Sequence, residues 1–311
     1  MLRALLLAHV STCSHSTRNG PSIFEPHASG LVPLRRVEIV QCNTAALREP
    51  SNAQAVSDLS AYVNAGYAQL HGYQYTYMQV PPSFQQSAHT PWCRVAAVRQ
   101  AASRTPPPEA VLYLDGDAFM LTDLPLTAAH LAGRSRAIGI DAGDIDIPDK
   151  DAMYQRWPNT TEAPLHKFMD MRVVQSLFEG ESSGWAERMT EGADVVNTGG
   201  GWLELVDSET LAFLDALWAF GDTWKGGAYK HTSWAFEQSA LNALLGTDAR
   251  ARSRTALLED GLWNCPTSPC VAHLYGGSKT NETLLKPALD AYHRRPRAAV
   301  IVEELRPQFS R

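Results

Sequence analysis

Short apolar runs alternate with stretches of helical spacing along the first part of the chain. Residues 36–41 are a strand candidate, with Val37, Ile39 and Val40 as its apolar residues, and a loop is predicted at 42–44. Residues 55–71 repeat apolar side chains every three or four positions, which predicts an amphipathic helix. The next apolar run, at 73–78, predicts a second strand. Strand, helix and strand in this order indicate a βαβ unit.

The same alternation continues through most of the chain. It predicts further strands at 111–114 and 137–140 and further helices at 92–102, 165–178, 208–220 and 234–245. An alternating order of this kind is typical of an α/β fold with a mostly parallel sheet flanked by helices. Ligands of such sheets bind beyond the carboxyl ends of the strands, so a functional site is expected there.

Two aspartates stand at the carboxyl end of the strand predicted at 111–114. Asp115 and Asp117 are separated by Gly116, and alternating side chains on a strand allow both carboxylates to point the same way. Carboxylates held this close repel each other unless a cation lies between them. An acidic turn after a strand explains the same pattern, but a buried strand that directs both acids to one point favours a divalent-metal site.

A glycine-rich segment follows Asn197. Residues 194–205 predict a strand, a tight turn at the three glycines 199–201, and a second strand. Glycines allow the backbone to approach a ligand or another chain segment closely. A plain hairpin turn explains the segment equally well.

Two later segments carry polar residues that can face the same site. The helix predicted at 234–245 bears Glu237 and Gln238 on the side opposite its apolar residues. A short apolar strand then presents His273, followed by Gly276 and Lys279 in a His-x-x-Gly-x-x-Lys spacing. Imidazole is a good ligand for a borderline metal, and lysine supplies a point charge for phosphate.

Charge and length narrow the class of protein. The 311 residues carry a formal net charge of −6, which argues against a nucleic-acid-binding surface. Residues 36–290 are expected to form the domain, and residues 291–311, with the basic run 294–297, a solvated C-terminal tail. Residues 1–35 are compatible with a leader, a signal or anchor segment, or a buried first strand, because the apolar run at the start is too short to span a bilayer.

Cysteines and sequons bear on the cellular compartment. Five cysteines are an odd number, so at least one is expected to be unpaired within the chain. Cys265 and Cys270 can close a small disulfide loop, or can stand at this spacing by chance. Sequons at Asn159 and Asn281 fit a secretory route, although such triplets also arise by chance.

The ordered motifs resemble those of retaining glycosyltransferases of the GT-A type. The order Asp-x-Asp, Asn-x-Gly, Glu-Gln and His-x-x-Gly-x-x-Lys is similar to family 8, the glycogenin-like enzymes. The surrounding residues resemble family 34, the α-galactosyl- and α-xylosyltransferases, from about Val37 to Lys279. The segments that carry this second resemblance are 64–73, 91–94, 236–241 and 271–276. Two departures stand out. Arg94 stands where family 34 usually has lysine, and Thr198-Gly199-Gly200-Gly201 stands in place of an Ala-Gly followed by bulkier residues.

The resemblance implies roles for the candidate residues. Asp115, Asp117 and His273 would hold a divalent cation, with Mn²⁺ favoured because one ligand is nitrogen. The nucleotide-sugar diphosphate and its nucleotide would be bound by Asp115 with the cation and by Asn43, Gly276 and Lys279. Asn197 would hydrogen-bond the donor sugar or the acceptor, and Gln238 would lie beside the anomeric carbon. Glu237 is expected to be a catalytic residue with these two.

The expected activity is metal-dependent transfer of a galactosyl, glucosyl or xylosyl group with retention of configuration. The donor is a UDP-sugar and the acceptor a hydroxyl of a glycan or glycoprotein. The Golgi is the expected compartment, with membrane association through the N-terminus; a cytoplasmic location stays open. One alternative is a non-catalytic sugar- or nucleotide-binding protein with a degenerate transferase fold. The other, a haloacid-dehalogenase-like phosphatase, is disfavoured because Ala118 and Phe119 stand where that family has Gly-Thr.

Overall fold

The structure is a computed structural model of the chain, and it describes most of the predicted strands and helices. Helix 165–178, Asn159, Asn197, Cys265 and Gly276 lie outside the described residues. The described residues are 32–49, 56–131, 133–140, 198–223, 236–258, 270–274 and 279–306.

Seven strands form one sheet, and two further strands pair beside it. In spatial order the large sheet runs β7-β5-β6-β3-β1-β2-β9. Its strands are β1 (Val37–Asn43), β2 (Gln74–Gln79), β3 (Ala110–Leu114), β5 (Arg136–Ile140), β6 (Thr198–Leu205), β7 (Thr255–Leu258) and β9 (Ile301–Glu304). The small antiparallel ribbon consists of β4 (Ala118–Met120) and β8 (Val271–His273).

Strand pairing in the large sheet is mostly parallel. Strands β1, β2, β3 and β9 run in one direction, and β5 runs parallel to β7. Only β6, among the described strands of this sheet, is antiparallel to both of its neighbours, β3 and β5. The predicted α/β class, with a mostly parallel sheet flanked by helices, is confirmed.

Helices cover both faces of this sheet. They are α1 (Val56–His71), α2 (Pro82–Ser87), α3 (Cys93–Ala102), α4 (Thr210–Thr223), α5 (Phe236–Thr247), α6 (Ala249–Ser253) and α7 (Glu282–Arg294). None of the helices within the described ranges is long and apolar enough to cross a membrane.

The pleat of β3 explains how one short strand supports two cores. Val111 and Tyr113 pack with α3, α4 and α5 on one face. Leu112 and Leu114 pack with α1 on the other face. Because successive side chains of a strand point to opposite faces, a strand buried on both sides has a continuous apolar sequence. All five residues of β3 are buried accordingly.

The hairpin predicted at the glycine-rich segment is wrong. Residues 198–205 form a single strand, β6, and the glycines 199–201 lie within it. The strand pairs along its length with β3 and β5, and these two ladders keep it extended despite the glycines. The glycines permit a close approach, as expected, but the neighbour is a side chain of this protein.

The prediction of a solvated C-terminal tail is also wrong. Helix α7 extends to Arg294, and β9 adds a parallel strand to the edge of the sheet beside β2. Arg295, from the supposed solvated basic run, is only 6% exposed. Its guanidinium donates to the carbonyls of Val63, Met120 and Thr122. A guanidinium has five N–H donors and can bind several carbonyls at once. The basic run is therefore part of the folded structure at Arg295.

The end of the predicted leader also belongs to the folded part. The Leu34 side chain is buried, and its backbone N–H donates to the Leu126 carbonyl at 2.9 Å. Pro33 forms an antiparallel bridge with Thr127. Pro33 and Leu34, which precede β1, therefore pack against the loop that follows β4.

A disulfide that the sequence did not indicate joins β1 to α3. Cys42 and Cys93 are bonded across a sequence separation of 51 residues, and both are buried. Cys42 stands next to Asn43 at the end of β1, and Cys93 stands next to Arg94 at the start of α3. The bond thus fixes two backbone positions at the carboxyl edge of the sheet.

Replacing both Cys42 and Cys93 by alanine should lower the free energy of unfolding. For a loop closed over 51 residues, the chain-entropy argument gives about 4 kcal/mol, because the cross-link restricts the unfolded chain. Guanidinium unfolding of the wild type and the double variant without reductant measures this difference. Equal transition midpoints, or a peptide map without the Cys42–Cys93 cross-link, would contradict it.

Candidate functional site

The two aspartates and His273 meet where the large sheet and the small ribbon join. Strand β3 ends at Leu114, the turn carries Asp115 and Asp117, and β4 begins at Ala118. His273 closes β8, which pairs with β4 so that His273 lies opposite Ala118. Strand pairing therefore places the imidazole beside Asp117, although 156 residues separate the two in the chain.

The distances suit a single metal ion. His273 Nε2 lies 3.1 Å from Asp117 Oδ1 and 3.6 Å from Asp115 Oδ2. One ligand atom from each of the three residues falls within 4.8 Å of the others. Two carboxylate oxygens and one imidazole nitrogen suit a divalent cation of borderline character such as Mn²⁺. The donor set therefore fits the cation that the sequence implied.

Two basic side chains hold the aspartates in this structure. Lys279 Nζ lies 2.6 Å from Asp117 Oδ2, and its side chain is 45% exposed. Arg94 Nη2 donates to both oxygens of Asp115, at 2.8 and 3.0 Å. Lys279 can swing away into solvent, whereas Arg94 is buried and keeps its place. Asp115 thus has a fixed partner, Arg94, and Asp117 has a movable partner, Lys279.

These partners set the protonation of the site. Burial alone would raise the pKa of Asp117, but hydrogen bonds and charges from His273 and Lys279 lower it to about 2. Burial alone would lower the pKa of His273, but the hydrogen bond and charge of Asp117 raise it above its usual value. In the absence of a metal, Asp117 and His273 therefore form an ion pair.

Arg94 also connects the metal ligands to helix α5. Its Nη1 lies 3.5 Å from Glu237 Oε1, and its guanidinium stands 5.3 Å from the centre of the Tyr113 ring. Glu237 is 3% exposed, and burial raises the pKa of its carboxyl to about 7 even though Arg94 opposes the shift. Arg94 is closer to Asp115 than to Glu237, so it compensates Asp115 better.

Helix α5 presents two acceptor atoms without a visible partner. Glu237 Oε2 and Gln238 Oε1 are buried and have no hydrogen-bond partner among the described residues. Buried polar atoms are usually bonded, so an unbonded pair in adjacent residues is typical of a ligand-binding position. The link from Glu237 through Arg94 to Asp115 places this pair near the metal ligands.

Asn43 borders the acidic turn from the side of β1. A Cβ atom added to Gly116 would stand 3.3 Å from Asn43 Nδ2, so the side chain of Asn43 lies against the turn. Its Oδ1 accepts a hydrogen bond from the Ala45 N–H at 3.2 Å. The structure thus gathers Asn43, Asp115, Asp117 and His273, with Lys279 at the rim.

In the sequence, Arg94 is distinguished only as a departure from the family 34 lysine, without a role. Its position in the first turn of the helix predicted at 92–102 was the available signal. The polar residues Ser60 and Asn64 were also overlooked. Both lie on the inward side of α1, where a helix that packs on a sheet is normally apolar.

Substitution of Gly200 by alanine should disturb His273. The added Cβ would lie 2.8 Å from His273 Cγ and 2.9 Å from Ala118 Cβ, which is closer than real contacts allow. The imidazole would have to shift, and we expect Mn²⁺ affinity to fall at least about tenfold. Calorimetric titration measures it, and unchanged affinity in a folded variant would contradict the geometry. Gly72→Ala is a control for lost stability alone, because a φ of 68° strains alanine there while no atom lies within 4 Å of the added Cβ.

The ion pair of Asp117 and His273 should give a pH-dependent stability. The folded pKa of Asp117, about 2, lies below the ordinary 3.8, so its contribution is present above pH 3.8 and is lost toward pH 2. The folded pKa of His273 is raised above 6.5, so its contribution is present below pH 6.5 and is lost as the pH rises through the raised value. Asp117→Asn should therefore cost most between about pH 4 and 6.5, about 2 kcal/mol.

Unfolding by urea in the presence of a chelator measures this profile. The exposed Asp290 offers a matched control, because Asp290→Asn removes a carboxylate paired only with Lys286 at the surface of α7. A stability difference for Asp117→Asn that does not change with pH would rule out the ion pair.

Comparisons with known proteins give a distant structural likeness. No protein-family model matches the chain, and no curated protein matches it. A solved structure with a similar backbone is described as a crystal structure of a glycosyltransferase involved in the glycosylation of the major capsid of PBCV-1. It is 14% identical over 82% of this chain and 98% of its own, with a TM-score of 0.46. Identity and score at this level assign neither a family nor an activity.

Proposed function

We propose that this protein is a metal-dependent retaining glycosyltransferase. It would move a galactosyl, glucosyl or xylosyl group from a UDP-sugar to a hydroxyl of a glycan or glycoprotein. The observation that carries the proposal is the convergence of Asp115, Asp117 and His273 at the carboxyl edge of an α/β sheet. That edge is where such sheets bind their ligands.

Asp115, Asp117 and His273 would hold the cation, which would neutralise negative charge on the leaving diphosphate when bound. Lys279 supports the same assignment. Its ammonium is within reach of Asp117 and half exposed, so it can exchange that carboxylate for a phosphate oxygen. Asn43, beside the acidic turn, would contact the nucleotide, and Gly276 would let the diphosphate approach the backbone.

Helix α5 would face the transferred sugar. The unbonded oxygens of Glu237 and Gln238 can accept hydrogen bonds from sugar hydroxyls. An amide is a weak nucleophile, so Gln238 would stabilise positive charge at the anomeric carbon instead of forming a covalent adduct. Asn197 would hydrogen-bond the sugar or the acceptor. The acceptor hydroxyl would then attack from the side of the leaving group, and configuration would be retained.

The position of Arg94 disfavours the phosphatase alternative. In that mechanism the first aspartate of the pair is the nucleophile and needs an available oxygen. Here both oxygens of Asp115 accept hydrogen bonds from Arg94, at 2.8 and 3.0 Å. A carboxylate held in this way is a better metal ligand or charge partner than a nucleophile.

We also propose a secretory location, in agreement with a glycan or glycoprotein acceptor. The buried disulfide between Cys42 and Cys93 supports an oxidising compartment, because cytosolic proteins rarely keep such bonds. Asn281 begins helix α7 and caps it, with its Oδ1 accepting from the Thr283 N–H. A glycan on this sequon would be joined to Nδ2, so it is compatible with a cap that uses Oδ1.

Release of UDP from UDP-sugars in the presence of Mn²⁺ tests the proposed activity. UDP-galactose, UDP-glucose and UDP-xylose are the first donors to try, without an acceptor. Asp117→Asn should lower the rate by about a hundredfold or more, because it removes a metal ligand and keeps the side-chain size. Asp290→Asn should leave the rate unchanged. Release that does not need a metal, or that survives Asp117→Asn, would refute the assignment.

Calorimetry separates an enzyme from a non-catalytic binder. Tight binding of UDP that needs Mn²⁺, together with turnover of a UDP-sugar, supports a transferase. Sugar or nucleotide binding that is independent of metal and is not followed by turnover would support the degenerate fold.

A further inference from the structure

The backbone of the acidic turn, residues 115–118, is hydrogen-bonded to the elements on both sides of it. The Asp115 N–H donates to the Gly200 carbonyl at 2.9 Å, and the Asp117 carbonyl accepts from the Leu274 N–H at 2.9 Å. The Ala118 N–H closes the turn on the Asp115 carbonyl, also at 2.9 Å. These bonds connect the turn to β6 on one side and to the end of β8 on the other.

Side chains from two other elements, β1 and α1, complete the anchoring. Gln41 of β1 donates from Nε2 to the Asp115 carbonyl at 2.7 Å. Ser60 and Asn64, one turn apart on α1, both donate to the Ala118 carbonyl, at 2.5 and 2.9 Å. Asn64 Oδ1 also accepts from the Met120 N–H at 2.8 Å. Buried side chains therefore bind the carbonyls at both ends of the turn.

These side chains also bind one another, so that none lacks a partner. Gln41 Nε2 donates its second hydrogen to Ser60 Oγ, at 2.9 Å. Gln41 Oε1 accepts from Asn64 Nδ2 at 3.1 Å and from the Tyr75 hydroxyl at 2.5 Å. All four residues are at most 4% exposed. A buried network in which every donor and acceptor is used makes a rigid support, because moving one member leaves a buried polar group unbonded.

We propose that Gln41, Ser60 and Asn64 are positioning residues for the cation. They fix Asp115 and Ala118, and Ala118 lies opposite His273 in the ribbon. The network thereby sets the separation of both carboxylates from the imidazole before a cation arrives, and the cation binds with little rearrangement. This inference rests on the metal-dependent function proposed above, and it adds a group of residues that do not touch the metal.

The network is not required merely to bury α1 against the sheet. Apolar residues of α1, among them Ala61, Ala65 and Ala68, pack there already. Polar side chains at this position cost desolvation unless they are bonded, and an apolar set of similar volume would fill the same space. What an apolar set cannot supply is hydrogen bonds to the Asp115 and Ala118 carbonyls.

The test is direct Mn²⁺ titration of the full chain by calorimetry, in parallel with urea unfolding. Ser60→Ala removes one bond to Ala118, and we expect the dissociation constant for Mn²⁺ to rise about threefold. Asn64→Leu removes the bonds to Ala118 and Met120 at similar volume, and we expect about a tenfold rise. Ser60→Thr, which keeps the hydroxyl, should recover most of the lost affinity.

Thr76→Val is the matched control. Thr76 is equally buried on β2 and donates to Glu38 Oε1 at 2.8 Å, in a polar group that does not reach the acidic turn. The Thr76→Val variant should have a lower free energy of unfolding and an unchanged affinity for Mn²⁺. A purely structural role would instead make affinity follow stability in all variants.

The outcomes separate the two proposals. If the wild type binds Mn²⁺ and folded Ser60→Ala and Asn64→Leu bind it equally well, the positioning role is overturned and the proposed function stands. If Asn64→Leu does not fold, the Mn²⁺ affinities of Ser60→Ala and Ser60→Thr test the positioning role. Equal affinities of these two variants and the wild type would overturn it. If the wild type binds no Mn²⁺, the metal-dependent function fails, and the positioning role fails with it.

Discussion

The mutual repulsion of two carboxylates, one residue apart at the end of a buried strand, is the constraint around which this structure is arranged. Asp115 and Asp117 lie close to one another in a partly buried place, where such repulsion is strong. Arg94 compensates the first and Lys279 the second, and His273 lies between them. With these partners the charges of the two carboxylates are compensated within the protein itself. A second layer of hydrogen bonds then holds the turn, so the acids cannot relieve their repulsion by moving apart.

Much of this arrangement could be predicted from local sequence. The run that forms β3 is apolar on both faces. It predicted a strand buried on both sides, with acids at its carboxyl end. The helices α1, α3, α4 and α5 followed from their spacing, with ends shifted by a few residues. Such features depend on the period of the side chains, which the sequence displays directly.

Pairing between distant segments could not be predicted in the same way. The spacing of apolar residues predicts that a segment is buried. It does not predict which other segment pairs with it. Nothing in residues 301–304 indicated an edge strand beside β2, and basic residues suggested a tail where Arg295 is buried. The glycines of β6 suggested a turn, yet Gly200 lies within the strand and is needed there because it lies against His273. The role of Arg94 likewise depends on two carboxylates that only the fold brings to it.

The long separation between Asp117 and His273 has a consequence for synthesis of the protein. A chain emerging from the ribosome carries both aspartates well before the imidazole, since 156 residues lie between Asp117 and His273. During that interval β4 also lacks its partner β8, so the acidic turn has neither its third ligand nor its ribbon. The set of three residues that could hold a cation is therefore incomplete until residue 273 has been synthesised.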